Sequence, residues 1–236
     1  MSVSAAKRLF PDPQFGALPV AGSDALYPVH RIFCVGRNYA EHAKEMGVEV
    51  DREEPFYFLK NPLSLVPGGA TIPYPPGTAN YHYEMELVVA VGRPVFRAAP
   101  GAAADAAFGY ACGLDMTRRD LQLKARAASR PWDLGKDFEQ SAVVSALTRA
   151  AKAGALGPKR IWLEVDGTVR QEARLADLIW SVDEIVCHLS QFYHLVPGDL
   201  IFTGTPAGVG AVSPGSRLRG GIDGLGEVTL AIGAAE

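Results

Sequence analysis

The sequence predicts a mixed α and β fold dominated by sheet, and three observations carry this. Apolar runs are short, a few residues each. Glycine (25) and proline (17) separate them at frequent intervals. Helical spacing of apolar residues extends over only one long segment, near the C-terminal third. Many strands and turns with few long helices follow from that pattern.

In chain order, residues 1–28 read as an irregular lead-in punctuated by Pro11, Pro13, Pro19 and Pro28, and residues 29–236 as one catalytic domain. Arg31 to Gly36 reads as a buried strand. Asn38 to Met46 follows as a short helix, with Asn38 as N-cap and Gly47 as the C′ residue. Phe56 to Lys60 is a strand stopped by Asn61-Pro62. Tyr83 to Val91 is the clearest strand, ending at Gly92; Phe108 to Leu114 is another. Ala102 to Ala107 has room for a helical turn or two. Thr117 to Ala127 reads as a helix capped by Thr117. Ile161 to Val165, Asp166-Gly167 and Val169 to Gln171 form a hairpin signal. Asp177 to Leu195 carries the helical spacing, and Asp199 to Thr203 and Glu227 to Ile232 close the chain as strands.

Composition narrows the function classes. The 236 residues suffice for a sizeable core. Lys and Arg number 23 against 26 Asp and Glu, a formal net charge of -3, which gives no basic footprint for nucleic acid and no polybasic segment for a membrane surface. No apolar run reaches the length of a membrane span, and Met1 to Phe10 lacks the apolar stretch of a signal peptide. Cys34, Cys112 and Cys187 are widely spaced, each in an apolar run, and read as buried thiols of a reduced, cytoplasmic protein.

Five polar elements could carry chemistry. Glu84 and Glu86 alternate on one face of a strand. Two adjacent carboxylates repel unless a cation or a proton lies between them, so the pair is either a metal site or a solvated strand mouth. Asp115 ends a core strand, either as a third hard oxygen ligand or as a cap for the following helix. Oxygen donors without a Cys/His cluster suit Mg²⁺, Mn²⁺ or Ca²⁺ rather than zinc. His42 and Glu45 share a helix face at i,i+3, as a general base with its orienting carboxylate or as a surface pair. Lys136 follows Trp132-Asp133-Leu134-Gly135 in a loop, solvated or placed to steady an oxyanion. Thr203 to Gly210 is a Gly-rich loop after a strand, an anion cradle or a tight turn, and matches no nucleotide fingerprint.

Taken in order, these elements resemble the fumarylacetoacetate hydrolase family from about Val29 to Gly233. The matching stretches are Cys34 to Tyr39 with His42, Tyr57 to Pro62, Tyr83 to Leu87, Gly109 to Gln122, Gly135 to Phe138, and Gly198 to Gly210. The resemblance implies an α+β fold of mixed β-roll type with short peripheral helices, and a homodimer. It implies Mg²⁺ or Mn²⁺ on Glu84, Glu86 and Asp115, a water-activating dyad of His42 and Glu45, and an active-site Lys136. Arg119, Gln122 and Thr205 match substrate-lining positions, and Lys60 is similar to a lysine near the pocket in some relatives. The sequence departs from the usual pattern at Tyr81-His82-Tyr83 and at Asp137 to Ser141, while Arg130-Pro131-Trp132-Asp133 is similar to bacterial members that cleave fumarylpyruvate. The activity implied is metal-dependent hydrolysis of a carbon–carbon bond in a small keto-acid, an acylpyruvate, with oxaloacetate decarboxylation or 2-hydroxydienedioate isomerisation as the alternative on the same site.

Overall fold

Apolar runs without alternation are the mark of strands covered on both faces, and the longest of them lie at the centre of the main sheet. The computed structural model describes residues 9–12, 14–45, 54–99 and 101–235. Its main sheet runs in the order Phe56–Lys60, Arg31–Gly36, Asp199–Phe202, Met85–Val91, Ala107–Asp115, Ala142–Val144 and Leu65–Pro67, with Thr148–Arg149 pairing beside it. Asp199–Phe202 is parallel to Arg31–Gly36 and antiparallel to Met85–Val91, so the sheet is mixed.

Alternate residues serve two cores. Phe33, Val35, Leu87 and Val89 face one cluster, shared with a second sheet, whose order is Thr168–Arg174, Arg160–Val165, Arg217–Ile222, Gly226–Ala235 and Ala70–Tyr74. Ile32, Cys34, Val88, Ala90 and Phe202 face the other. A small third sheet joins Thr117–Arg118, Tyr81–Tyr83 and Gly210–Val212. The mixed sheets curl into a half-barrel with few short helices, the α+β roll that the sequence resemblance implies.

Several elements differ from their sequence reading. Within the segment read as an irregular lead-in, Ala17–Pro19 and Leu26–Pro28 pair antiparallel. Leu18, Val20 and Tyr27 bury their side chains in the second core, so this hairpin covers the main sheet's outer face. The strand read as continuous from Tyr83 breaks at Glu84, because Tyr81–Tyr83 belongs to the small sheet and Met85–Val91 to the large one. The helix beginning at Thr117 starts instead at Arg119, since Thr117 and Arg118 pair with His82 and Tyr81. Asn38 caps no helix. Its amide donates to Trp180 O (2.9 Å) and Thr203 O (2.8 Å) and accepts from Trp180 N–H (2.7 Å), tying three chain segments together. The helix after it is Ala40–Glu45, and Gly47 lies outside the described residues.

The long helical pattern from Asp177 folds as helix only over Val182–Leu189, where Ser181 and Glu184 form a reciprocal capping box. The clamp of Asn38 on Trp180 fixes the preceding residues in another conformation. The hairpin at Asp166-Gly167 forms as read, both residues having positive φ (51° and 77°), as a tight turn between right-twisted strands requires. All three cysteines are free and buried, in agreement with the sequence reading. Among the described residues no helix is long and apolar enough to cross a membrane.

Candidate metal centre

Strand register brings the carboxylates together. Glu86 pairs with Gly113 across antiparallel strands, so Asp115, two residues on, lies diagonally beside it on the same face. Gly113 leaves room there, since a Cβ would meet Val88 Cγ2 at 2.5 Å and Phe202 at 2.7 Å. Glu84 joins from the break between sheets, where its carbonyl accepts from Asp115 N–H (2.9 Å). One oxygen from each of Glu84, Glu86 and Asp115 lies within 4.8 Å of the others, and all three residues are buried.

Three cations pair with two of the three acidic side chains, Glu84 and Asp115. Lys136 Nζ donates to Glu84 Oε2 (2.8 Å), Asp115 Oδ2 (2.7 Å) and Thr117 Oγ1 (2.8 Å). Arg119 donates to a Glu84 oxygen and to Gln122 Oε1. Lys60 Nζ lies 2.9 Å from Asp115 Oδ1 and donates to Met116 O (3.2 Å) and Lys136 O. Charges this deep are tolerable only when paired. Burial pushes Glu84 up, but Lys136 and Arg119 outweigh it and hold its carboxyl well below the usual range. Burial pulls Lys136 down, yet Asp115 and Glu84 hold it above its ordinary value. Glu86 goes the other way. Burial, then Asp115 and Glu84, push it well above the usual carboxylate range, because Gly204 N–H (2.7 Å) is a weaker counterweight than a cation.

The residues present fit a divalent ion. The donors are all oxygen, as a hard cation prefers, and the Lys136 ammonium already shows a positive group shared between Glu84 and Asp115. Arg119 Nε is buried without a hydrogen-bond partner among the described residues, as expected where an anionic ligand completes the site.

The loop Thr203 to Gly210 does cradle anions, and they are the protein's own. Gly204 N–H binds Glu86, while Gly208 N–H binds both oxygens of Glu45 (3.0 and 3.1 Å). Gly204 has φ 97°, and a Cβ there would lie 2.7 Å from Asn38 Cβ, so only glycine permits this approach. Glu45 Oε2 is 3.5 Å from His42 Nδ1, an ion-pair contact too long for a hydrogen bond. Burial, its largest influence, holds His42 below its ordinary value, so the imidazole is neutral at physiological pH.

His42, Glu84, Glu86, Arg119, Gln122, Lys136 and Thr205 line one cavity. Lys60 does not, because it lies behind Asp115 and Lys136 and acts on them rather than on a ligand. Three supporting residues escaped the sequence reading. Gln171 accepts from Met85 N–H (3.0 Å) and donates to Thr205 Oγ1 (2.9 Å) and Pro206 O (2.8 Å), pinning the chain beside Glu84 to the glycine loop. Thr117, read as a cap, instead supplies its hydroxyl to Lys136. Asn38 holds Thr203. The signal for Gln171 was faint: one inward polar residue in the outwardly exposed strand Thr168–Arg174.

With this geometry in place, the relatives fall into line. Residues 31–232 match the fumarylacetoacetate (FAA) hydrolase C-terminal family. The chain belongs to the fumarylacetoacetate hydrolase family. Within that family it is 51% identical over 193 residues to a fumarylpyruvate hydrolase of Ralstonia sp, a match covering 81% of this chain and 100% of the relative. It is 42% identical over 202 residues to the human mitochondrial oxaloacetate tautomerase FAHD1, covering 85% and 90%. Among solved structures, it superposes with a TM-score of 0.93 on the fumarylpyruvate hydrolase of Pseudomonas aeruginosa in complex with Mn²⁺ and pyruvate, at 48% identity, covering 97% and 100%.

Proposed function

We propose that the protein is a metal-dependent hydrolase that cleaves a carbon–carbon bond in an acylpyruvate, with fumarylpyruvate split to fumarate and pyruvate. The observation that carries this is the site itself: Glu84, Glu86 and Asp115 are buried with oxygens within 4.8 Å of one another, and Glu84 and Glu86 line the cavity that His42 also lines, with Glu45 beside it. The full-length match to a fumarylpyruvate hydrolase supports the substrate. Glu84, Glu86 and Asp115 hold Mg²⁺ or Mn²⁺, which when bound supplies Lewis acidity to the oxygens of a 2-keto acid.

The remaining chemistry belongs to the side chains. Neutral His42, with Glu45 beside it, takes a proton from water as its oxygen adds to the carbonyl of the acyl group. Lys136 donates to the oxyanion that develops there. As the carbon–carbon bond breaks, its electron pair passes to the carbon beside the keto group. His42 returns its proton to that carbon, giving pyruvate and the free acid. Arg119 and Gln122 position the substrate and Thr205 closes the cavity floor. Lys60 keeps Asp115 and the Lys136 backbone in register. The three buried thiols suit a cytoplasmic setting and the family resemblance a homodimer.

A second reading, oxaloacetate tautomerisation or decarboxylation at the same centre, is favoured by the relatives named for those activities. Fumarylpyruvate, acetylpyruvate and oxaloacetate, each followed with Mg²⁺, with Mn²⁺ and after chelation, decide between them. Metal-dependent release of fumarate and pyruvate is expected. Faster consumption of oxaloacetate than of either acylpyruvate, or full activity after chelation, overturns the hydrolase reading.

A further inference from the structure

The inner cavity has a volume of about 20 Å³, room for little more than one water-sized group. It therefore admits only the reacting end of a substrate. Beside it lies a chamber of about 520 Å³, and the two share Arg37, Phe58, Arg126, Trp132 and Lys136 in their linings. Whatever extends beyond the reacting carbons lies in this outer chamber.

Its chemistry is specific. Arg37, Arg126 and Arg130 line it against the acidic Asp133, so it favours an anion. Phe56 and Phe58 pack on Trp132 with ring centroids 5.3 and 5.9 Å apart, forming an aromatic wall that suits a flat, unsaturated chain. Arg119, Gln122 and Arg126 stand at i, i+3 and i+7 on the helix Arg119–Ala127, so they form one stripe. Arg119 pairs with Glu84 at the inner end of the stripe, and Arg126, half-buried, stands two turns away, roughly 10 Å along the axis. A guanidinium there matches a carboxylate by its two-pronged geometry, which an ammonium lacks.

We infer that the outer chamber is the subsite for the acyl arm, and that Arg126 binds a carboxylate at the arm's far end, making the enzyme selective for acylpyruvates whose acyl arm ends in a second carboxylate. This rests on the acylpyruvate reading above. Arg126 is a specificity residue: it lines both the outer chamber and the mouth it shares with the inner cavity, and its loss acts through binding of the arm.

The experiment compares kcat/KM for fumarylpyruvate and acetylpyruvate in the wild type, Arg126→Gln and Arg126→Lys, with fumarate and oxalate affinities measured calorimetrically on the metal-loaded proteins. The fumarylpyruvate to acetylpyruvate ratio should fall by about tenfold or more in Arg126→Gln, the worth of a charge-assisted hydrogen bond. Arg126→Lys should recover part of it. Fumarate should weaken more than oxalate in the Gln variant. An unchanged ratio, or equal loss on both substrates, overturns the inference. If the wild type cleaves neither acid, the hydrolase reading falls, and fumarate affinity alone decides the chamber: dependence on Arg126 supports it, and absent or Arg126-independent binding overturns it.

Discussion

Replacing Lys136 with Met tests the charge arrangement directly, because it should move three properties in different directions. Methionine preserves most of the aliphatic stem, so the change is one of charge more than volume. The ammonium removed pairs with Glu84 at 2.8 Å and Asp115 at 2.7 Å and is 2% exposed. The metal-free centre then leaves Glu84 with Arg119 alone and Asp115 with Lys60 alone. Breaking a buried pair from one side costs about 3–5 kcal/mol. A chain of this size shifts its melting midpoint by roughly 2–4 °C per kcal/mol, so the metal-free variant should melt lower by roughly 6–20 °C. The folded protein holds Lys136 above its ordinary range, so the ammonium is present throughout neutral pH and its loss is felt there in full. Metal affinity should move the opposite way. Lys136 occupies oxygens that a divalent ion needs and repels that ion at close range, so its removal should tighten Mn²⁺ binding by about tenfold or more. Saturating Mn²⁺ should then recover much of the lost stability. Turnover should fall by about a hundredfold or more with the oxyanion donor gone. Thermal denaturation in chelator and in a Mn²⁺ series, with calorimetric titration, measures all three. A variant that melts with the wild type in chelator, or binds Mn²⁺ more weakly, refutes the reasoning.

Two further predictions concern protons. Glu86 is held well above the usual carboxylate range in the metal-free protein, so a divalent ion must displace a proton there; Mn²⁺ affinity should rise with pH above about 4.5, by up to about tenfold per unit, with proton release visible in a weakly buffered indicator solution. Affinity independent of pH across that window contradicts the assignment. His42→Ala should lower kcat by about a hundredfold or more while Mn²⁺ affinity stays in the wild-type range. Because burial lowers the His42 pKa and the neutral imidazole is the active form, wild-type kcat/KM should begin to fall only below about pH 6.5. An acid limb centred above about pH 7 would remove His42 as the base.

Alternation and strand length made much of this molecule legible in its sequence. Arg31–Gly36 and Phe56–Lys60 have the read boundaries, because an apolar run ended by Asn-Pro or Gly leaves little choice. Glu84, Glu86 and Asp115 were named from strand ends, and the motif order carried the family. The residues that failed were polar ones with long-range partners. Thr117 and Asn38 look like helix caps locally, yet each has a buried partner far along the chain that a cap cannot match. The hairpin Ala17 to Pro28 looked irregular because its strands are three residues each, and their stability comes from the main sheet they cover.

The sequence by itself determined which groups the protein owns: three carboxylates, their counter-cations, a histidine with a carboxylate three residues on, and a glycine loop after a strand. Tertiary structure decided what each one faces. It turned the glycine loop toward Glu86 and Glu45 rather than toward a ligand phosphate, moved Lys60 from the pocket wall to its support, and set an arginine-lined chamber beside a cavity of about 20 Å³. The physical reason is that local propensity acts over a few residues, whereas the cost of burying a charge is settled only when a partner arrives from elsewhere in the chain. At this centre Glu84 and Asp115 are neutralised by cations that sequence distance conceals, and those pairings hold the acidic cluster together.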